Sequence, residues 1–266
     1  FCEGYKEFLN GGKTERECVR LAVRMLKKAG YKPFDPKASY EPGDKVYYVN
    51  REKSVIATTF GKKPLTDGLR INGAHIDSPR LDLKPNPVYE KEDIAYFKTH
   101  YYGGIRKYQW GTVPLSMHGV VMKADGETVE VSIGEKEGDP QFCVTDLLPH
   151  LAAEQNGRKL GEGLKGEELN IIIGSIPYHD EENEKIKNPA KLLAMKLLND
   201  RYGITEKDFT RAEIEMVPAY KAVDIGLDRG LIGSYGQDDR VCAYTALMAE
   251  IAAENPEHTT FTILTD

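Results

Sequence analysis

Two short runs hold the side chains best suited to grip a metal ion. In Gly73-Ala74-His75-Ile76-Asp77-Ser78-Pro79 a histidine and an aspartate stand two residues apart. On a strand, residues i and i+2 share a face, so this imidazole and carboxylate can reach one place. A metal-bound imidazole has its other ring nitrogen held by a carboxylate or carbonyl, which fixes the tautomer. The second run is Gly236-Gln237-Asp238-Asp239-Arg240. A carboxylate there can bridge two divalent ions, and zinc accepts histidine nitrogen and carboxylate oxygen together. Each run also has a plainer reading. His75 can be a buried histidine satisfied by a neighbouring acid, and Asp238-Asp239 can simply cap a helix and meet its positive end. Taken singly, neither run is specific.

The elements that must position these residues are legible in part. Residues 69–76 read as an apolar strand with His75 at its far end, where ligands often sit in open α/β sheets. Arg240 opens a helix over about 240–254, ended by Asn255-Pro256, and a buried-type strand follows at 259–264. Near the start, Thr14 with Glu17 forms a capping box for a helix over about 15–30. Its stripe is Val19, Ala22 and Leu26 with Leu21 and Met25, and Gly30 is the stop. Residues 45–50 and 54–60 read as strands after the Pro42-Gly43-Asp44 turn. Between 88 and 219 the pattern becomes strand-rich. Residues 120–123 and 128–133 flank an Asp125-Gly126 hairpin turn. Residues 169–176 and 209–217 read as strands, and 190–202 as a helix with Asn188 as cap and Pro189 at its first position. Residues 158–168 read as a solvated loop.

Composition bounds the rest. The chain has 266 residues, 40% hydrophobic and 29% charged, so a packed globular protein is expected and disorder is not. A net charge of -6 argues against a nucleic-acid footprint, which needs a basic face. No apolar run approaches the ~18 residues of a membrane span. The four cysteines, Cys2, Cys18, Cys143 and Cys242, are scattered and suit a reducing, cytoplasmic setting. The chain opens on Phe1 rather than Met, which leaves room for a removed leader.

The two runs together carry more than either alone. Gly73-Ala74-His75-Ile76-Asp77-Ser78-Pro79-Arg80-Leu81, continuing Asp82-Leu83-Lys84, resembles the first metal-ligand motif of the M18 aminopeptidases. Gln237-Asp238-Asp239-Arg240-Val241-Cys242-Ala243 resembles the second. Tyr102-Gly103-Gly104-Ile105, Trp110 and Pro114-Leu115 are similar to the stretch between them, and 261–266 resembles the strand before that family's Glu-Glu motif. The order and spacing agree over nearly the whole chain.

The resemblance implies an α/β open-sheet catalytic domain, discontinuous and incomplete here, over 1–87 and 220–266. It implies an inserted, mostly-β dimerisation domain over 88–219. It implies two divalent ions, zinc first, with cobalt or manganese also accepted. His75 would hold one ion, Asp238 would bridge both, and Asp77 would support His75. It also implies a cis peptide between Asp238 and Asp239, peptide substrates, and dimers assembling into a dodecamer. His150 is the candidate to reach a neighbouring subunit's active site, although Glu154 stands where relatives carry a second histidine. A buried or interface role is the plainer reading of His150. The general-base Glu-Glu pair, a later Asp and a later His would lie past Asp266, so the chain by itself is expected to be inactive and to be part of a longer protein. His100, His118, His179 and His258 read as structural or surface residues, including His179 within Tyr178-His179-Asp180-Glu181-Glu182. Two alternatives stay open: a carboxypeptidase or deacylase on the same fold, and a catalytically dead fragment serving as an assembly module.

Overall fold

The computed structural model describes residues 1–180 and 186–266; Glu181 and Glu182 of the His179 run lie outside them. The chain divides into two compact units, Phe1–Ser78 with Tyr220–Asp266, and Pro79–Ala219.

The first unit is α/β. Thr14 caps the helix Glu15–Lys28: the Glu17 amide donates to Thr14 Oγ1 at 3.3 Å, and the Thr14 amide donates to Glu17 Oε2 at 3.1 Å. Two of the otherwise unpaired amides of the first turn are thereby satisfied. The five-stranded sheet runs Lys32–Pro33, Lys45–Asn50, Ser54–Thr59, Thr260–Thr265, Arg70–His75. Thr260–Thr265 pairs antiparallel with Ser54–Thr59 and parallel with Arg70–His75, with Thr265 opposite His75. The helices Cys2–Gly11, Glu15–Lys28 and Gln237–Ala252 share a core with this sheet, built from Phe8, Leu9, Val19, Ala22, Leu26, Val55, Ala57, Ala74, Ile76, Leu247 and Leu264. Each fully buried leucine among them contributes roughly 1.5–3 kcal/mol relative to exposure. The helix expected from residue 240 is regular from that point: Gln237–Ala252 includes Asp238 and Asp239, but both have non-helical dihedrals.

That helix is also fastened at its far end. Glu250 is 2% exposed, and its carboxylate accepts hydrogen bonds from the hydroxyls of Thr59 (2.8 Å), Thr260 (2.8 Å) and Thr262 (3.1 Å). The Tyr31 hydroxyl lies 2.8 Å from the Glu250 carbonyl. Burying a carboxylate is costly unless its lone pairs are filled, and three hydroxyls fill them here.

The second unit is a seven-stranded antiparallel sheet in the order Thr128–Ile133, Leu115–Met122, Ala212–Pro218, Arg80–Lys91, Ile94–Tyr102, Ile171–Gly174, Cys143–Val144. The hairpin at Asp125-Gly126 forms with Met122 opposite Thr128, and Gly126 takes φ +88°, the left-handed region that a glycine enters without penalty. Leu81, Phe97, Trp110, Met117, Ile171, Phe209 and Met216 belong to the core. The helix Pro189–Tyr202 starts at its proline as expected, but Asn188 sits at φ 55° and its side chain makes no cap bond. The strand expected over 169–176 is shorter, Ile171–Gly174. The expected domain boundary at 87/88 falls inside the strand Arg80–Lys91, and the units change over at Ser78/Pro79.

Candidate metal centre

His75 ends the strand Arg70–His75, and its neighbour Ile76 continues the pairing by donating its amide to the Thr265 carbonyl at 2.8 Å. The buried Ile76 side chain is part of the core, so the alternation of the strand turns His75 away from it. Asp77, two residues on, places Oδ1 3.0 Å from His75 Nδ1. From the other motif, Asp238 places Oδ1 3.2 Å from His75 Nε2. Both ring nitrogens therefore face carboxylates, one from each motif. The His75 side chain is 45% exposed and Asp238 94%, whereas Asp77 is only 16% exposed. Asp77 is thus the sheltered partner behind the ring, and Asp238 stands open to solvent.

Partial burial pulls the His75 pKa down. Hydrogen bonding to Asp77, the charges of Asp77 and Asp239, and the hydrogen bond to Asp238 outweigh it, so the pKa sits above the ordinary histidine value. The Asp238–Asp239 peptide is cis, as the motif implied. Ser78 Oγ donates to the Asp238 carbonyl at 3.2 Å. Arg240 Nε donates to the Ile76 carbonyl at 3.1 Å, and its Nη2 donates to the Lys13 carbonyl at 3.0 Å. Sequence reasoning found His75, Asp77 and Asp238 but gave no part to Ser78 or Arg240. The available signal was Gly236, four residues before Arg240.

One imidazole nitrogen and one carboxylate oxygen converging on a solvent-open spot fit a divalent ion in donor type. Among the described residues, no group of three or more His, Cys, Asp or Glu side chains is gathered to hold a metal ion, so these two supply part of a coordination sphere. Zinc takes about four ligands.

The other histidines fall elsewhere. His150 is exposed in the turn closed by the Leu151 amide on the Leu148 carbonyl, in the second unit. Its neighbours Leu147, Leu148 and Leu151 are 55%, 56% and 68% exposed, so within this chain His150 is not buried. His118 is buried, with Nε2 3.0 Å from Ser116 Oγ and 3.3 Å from Glu135 Oε1. His258 is half-buried with Nδ1 3.3 Å from the Gly68 carbonyl, and His100 stacks on Tyr101.

The "Probable M18 family aminopeptidase 1" of Clostridium acetobutylicum is 50% identical over 267 residues, covering 98% of this chain and 57% of the relative. The crystal structure of an M18-family aminopeptidase from Thermotoga maritima superposes with a TM-score of 0.93 at 48% identity, covering 99% of this chain and 57% of that one. A yeast structure described as an aminopeptidase dodecamer shares the fold at 17% identity, with a TM-score of 0.71 over 98% of this chain and 59% of that one. The chain thus spans less than two thirds of the length of the proteins it matches. The family model described as "Aminopeptidase I zinc metalloprotease (M18)" matches residues 8–265, and this chain belongs to the M18 family.

Proposed function

We propose that this chain is part of a metal-dependent aminopeptidase, in which His75 and Asp238 are metal ligands. The observation that carries the reading is the convergence of His75 Nε2 and Asp238 Oδ1 with Asp77 on the opposite ring nitrogen. Asp77 accepts the Nδ1 proton and so leaves the Nε2 lone pair facing the Asp238 side, the arrangement a histidine ligand requires. The exposed Asp238 offers a second carboxylate oxygen, which suits it to bridge two ions. We take the ions to be zinc, with cobalt or manganese compatible with the same donors. A divalent ion at such a site lowers the pKa of a bound water and polarises a scissile carbonyl. The substrates are peptides with a free N-terminal amine.

The unit Pro79–Ala219 serves, in this reading, as the dimerisation domain, and the dimers build a dodecamer. Its support is the fold shared with the yeast dodecamer and the exposed leucines around His150. Exposure leaves His150 able to reach a neighbouring subunit. Replacing it with Phe in the longer protein should reduce turnover while the oligomer stays intact, and unchanged turnover removes the role. Cytoplasmic residence is supported by four free thiols. No helix among the described residues is long and apolar enough to cross a membrane.

The activity is tested on the longer protein that carries this chain. Release of nitroaniline from aminoacyl-nitroanilides should be abolished by chelator and by acetylating the substrate amine. Cleavage that persists on the acetylated substrate moves the assignment to a deacylase or carboxypeptidase. A protein that hydrolyses neither, in the presence of added zinc, cobalt or manganese, supports an assembly module.

A further inference from the structure

We propose that Ser78 and Arg240 are positioning residues that clasp the His75 strand end to the Asp238 turn and fix the spacing of the two ligand atoms. The proposal rests on the metal reading of that pair. The two motifs lie some 160 residues apart in the chain, and no local element sets their separation. Two hydrogen bonds cross between them in opposite directions. Ser78, three residues past His75, donates to the carbonyl of Asp238 itself; Arg240, two residues past Asp238, donates to the carbonyl of Ile76, the residue after His75. Each motif thus gives one side chain and receives one on a backbone carbonyl at or beside its ligand. Asp238 and Asp239 lie outside helical dihedrals, so regular helical geometry does not set the direction of Asp238, and the two crossing bonds help to place it.

The surroundings are built for this arginine. Arg240 is completely buried, and a buried guanidinium is costly unless its donors are used. Its second arm reaches the Lys13 carbonyl, and the Tyr235 ring lies 5.3 Å from the guanidinium carbon. Gly236 takes φ +82°, and a Cβ there would stand 2.1 Å from Arg240 Nη1, so the missing side chain is the slot the guanidinium occupies. Lysine, a single point charge on a flexible stem, cannot serve two carbonyls in this fixed fork. Ser78 is 2% exposed, so its hydroxyl does not spend itself on water. Neighbouring Gln237 is pinned as well, accepting from the Tyr5 hydroxyl at 2.6 Å and donating to the Ile232 carbonyl at 2.7 Å.

The test uses the longer protein that carries this chain, stripped of metal, with zinc alone as the probe. Ring resonances of His75, assigned by their loss in His75→Ala, are followed through a zinc titration. Ser78→Ala and Arg240→Lys should each weaken zinc binding by about 10-fold or more, the usual consequence of removing a group that orients a ligand. Hydrogen exchange of the Ile76 amide, which donates to the Thr265 carbonyl and whose own carbonyl receives Arg240, should accelerate in both variants when measured without metal. Ser78→Ala deletes only a hydroxyl and carries the test should Arg240→Lys not fold. Folded variants with wild-type zinc affinity overturn the clasp, even where their thermal midpoints fall. A wild-type longer protein whose His75 resonances ignore zinc overturns the metal reading instead; unchanged amide exchange in the variants then overturns the clasp on its own.

Discussion

Replacing Glu250 with leucine should destabilise the first unit through the hydroxyls it abandons. In the wild type its carboxylate accepts from Thr59, Thr260 and Thr262, and Thr59 and Thr262 are 0% and 1% exposed. Leucine nearly conserves the volume but accepts no hydrogen bond. Two fully buried hydroxyls then lose their carboxylate acceptor, at about 1–3 kcal/mol each. Part of that loss is offset, because the variant no longer desolvates a carboxylate. The expected net cost is about 2–4 kcal/mol, against a typical total of roughly 5–15 kcal/mol for a domain. The assay follows from where the reporters sit. The chain's single tryptophan, Trp110, lies in the core of the second unit, so its fluorescence follows that unit. Far-UV circular dichroism at the helical minimum is weighted towards the first unit, which holds the helices Cys2–Gly11, Glu15–Lys28 and Gln237–Ala252, against Pro189–Tyr202 in the second. In urea, the dichroism transition of Glu250→Leu should move to lower denaturant while the tryptophan transition stays in place. Adding Thr59→Val and Thr262→Val should recover most of the loss, since replacing both sides of a buried hydrogen bond by apolar groups is nearly neutral. A Glu250→Leu chain whose dichroism transition shifts by less than about 0.5 kcal/mol, the range of an ordinary surface substitution, would refute this account.

Two further outcomes follow from individual side chains. Asp208 accepts from the Thr205 hydroxyl at 2.7 Å and the Thr205 amide at 2.8 Å, and these bonds hold its carboxyl below the usual aspartate value. A depressed folded-state pKa contributes stability above the unfolded value, near 3.9, and loses it as pH falls through the folded one. Asp208→Asn should therefore cost about 1 kcal/mol at pH 7, a cap's usual worth, with the gap closing below about pH 4 in acid-unfolding curves; a gap independent of pH contradicts it. Burial pushes the Cys18 thiol up to about 11, whereas Cys2 and Cys242 are exposed. A disulfide reagent at pH 8 should label Cys2 and Cys242 in the native chain and leave Cys18 untouched until unfolding. Early modification of Cys18, read by peptide mass, contradicts it.

What the sequence disclosed was local. The Thr14–Glu17 box, the Asp125-Gly126 turn and the start at Pro189 each depend on residues within one turn of one another, and each is found. Asn188 misled because it takes up the left-handed dihedrals of the turn itself, leaving no side-chain cap. The boundary expected near residue 87 came from the strand-rich pattern that follows, but the strand Arg80–Lys91 runs through it and absorbs Pro85 and Pro87 in a register shift between Leu83 and Val88, where proline costs no ladder bond. At the site, His75, Asp77 and Asp238 were legible as a family pattern in which residue type and order suffice. Ser78 and Arg240 were not, because their partners are backbone carbonyls about 160 positions away, and a carbonyl leaves no mark in a sequence.

The sheet order of the first unit bears on how the molecule is born. Thr260–Thr265 slots between Ser54–Thr59 and Arg70–His75, and the Ser54 and Thr265 hydroxyls meet across 211 residues of chain. On the ribosome both flanking strands emerge long before the strand that joins them, with open edges that invite pairing with other chains. The second unit, Pro79–Ala219, is one continuous segment, so its sheet can close first, while the first unit waits for Thr260–Thr265. The order of synthesis therefore leaves the nascent chain most prone to aggregation over its early strands, and the His75–Asp238 pair cannot form until the turn carrying Asp238 has been made.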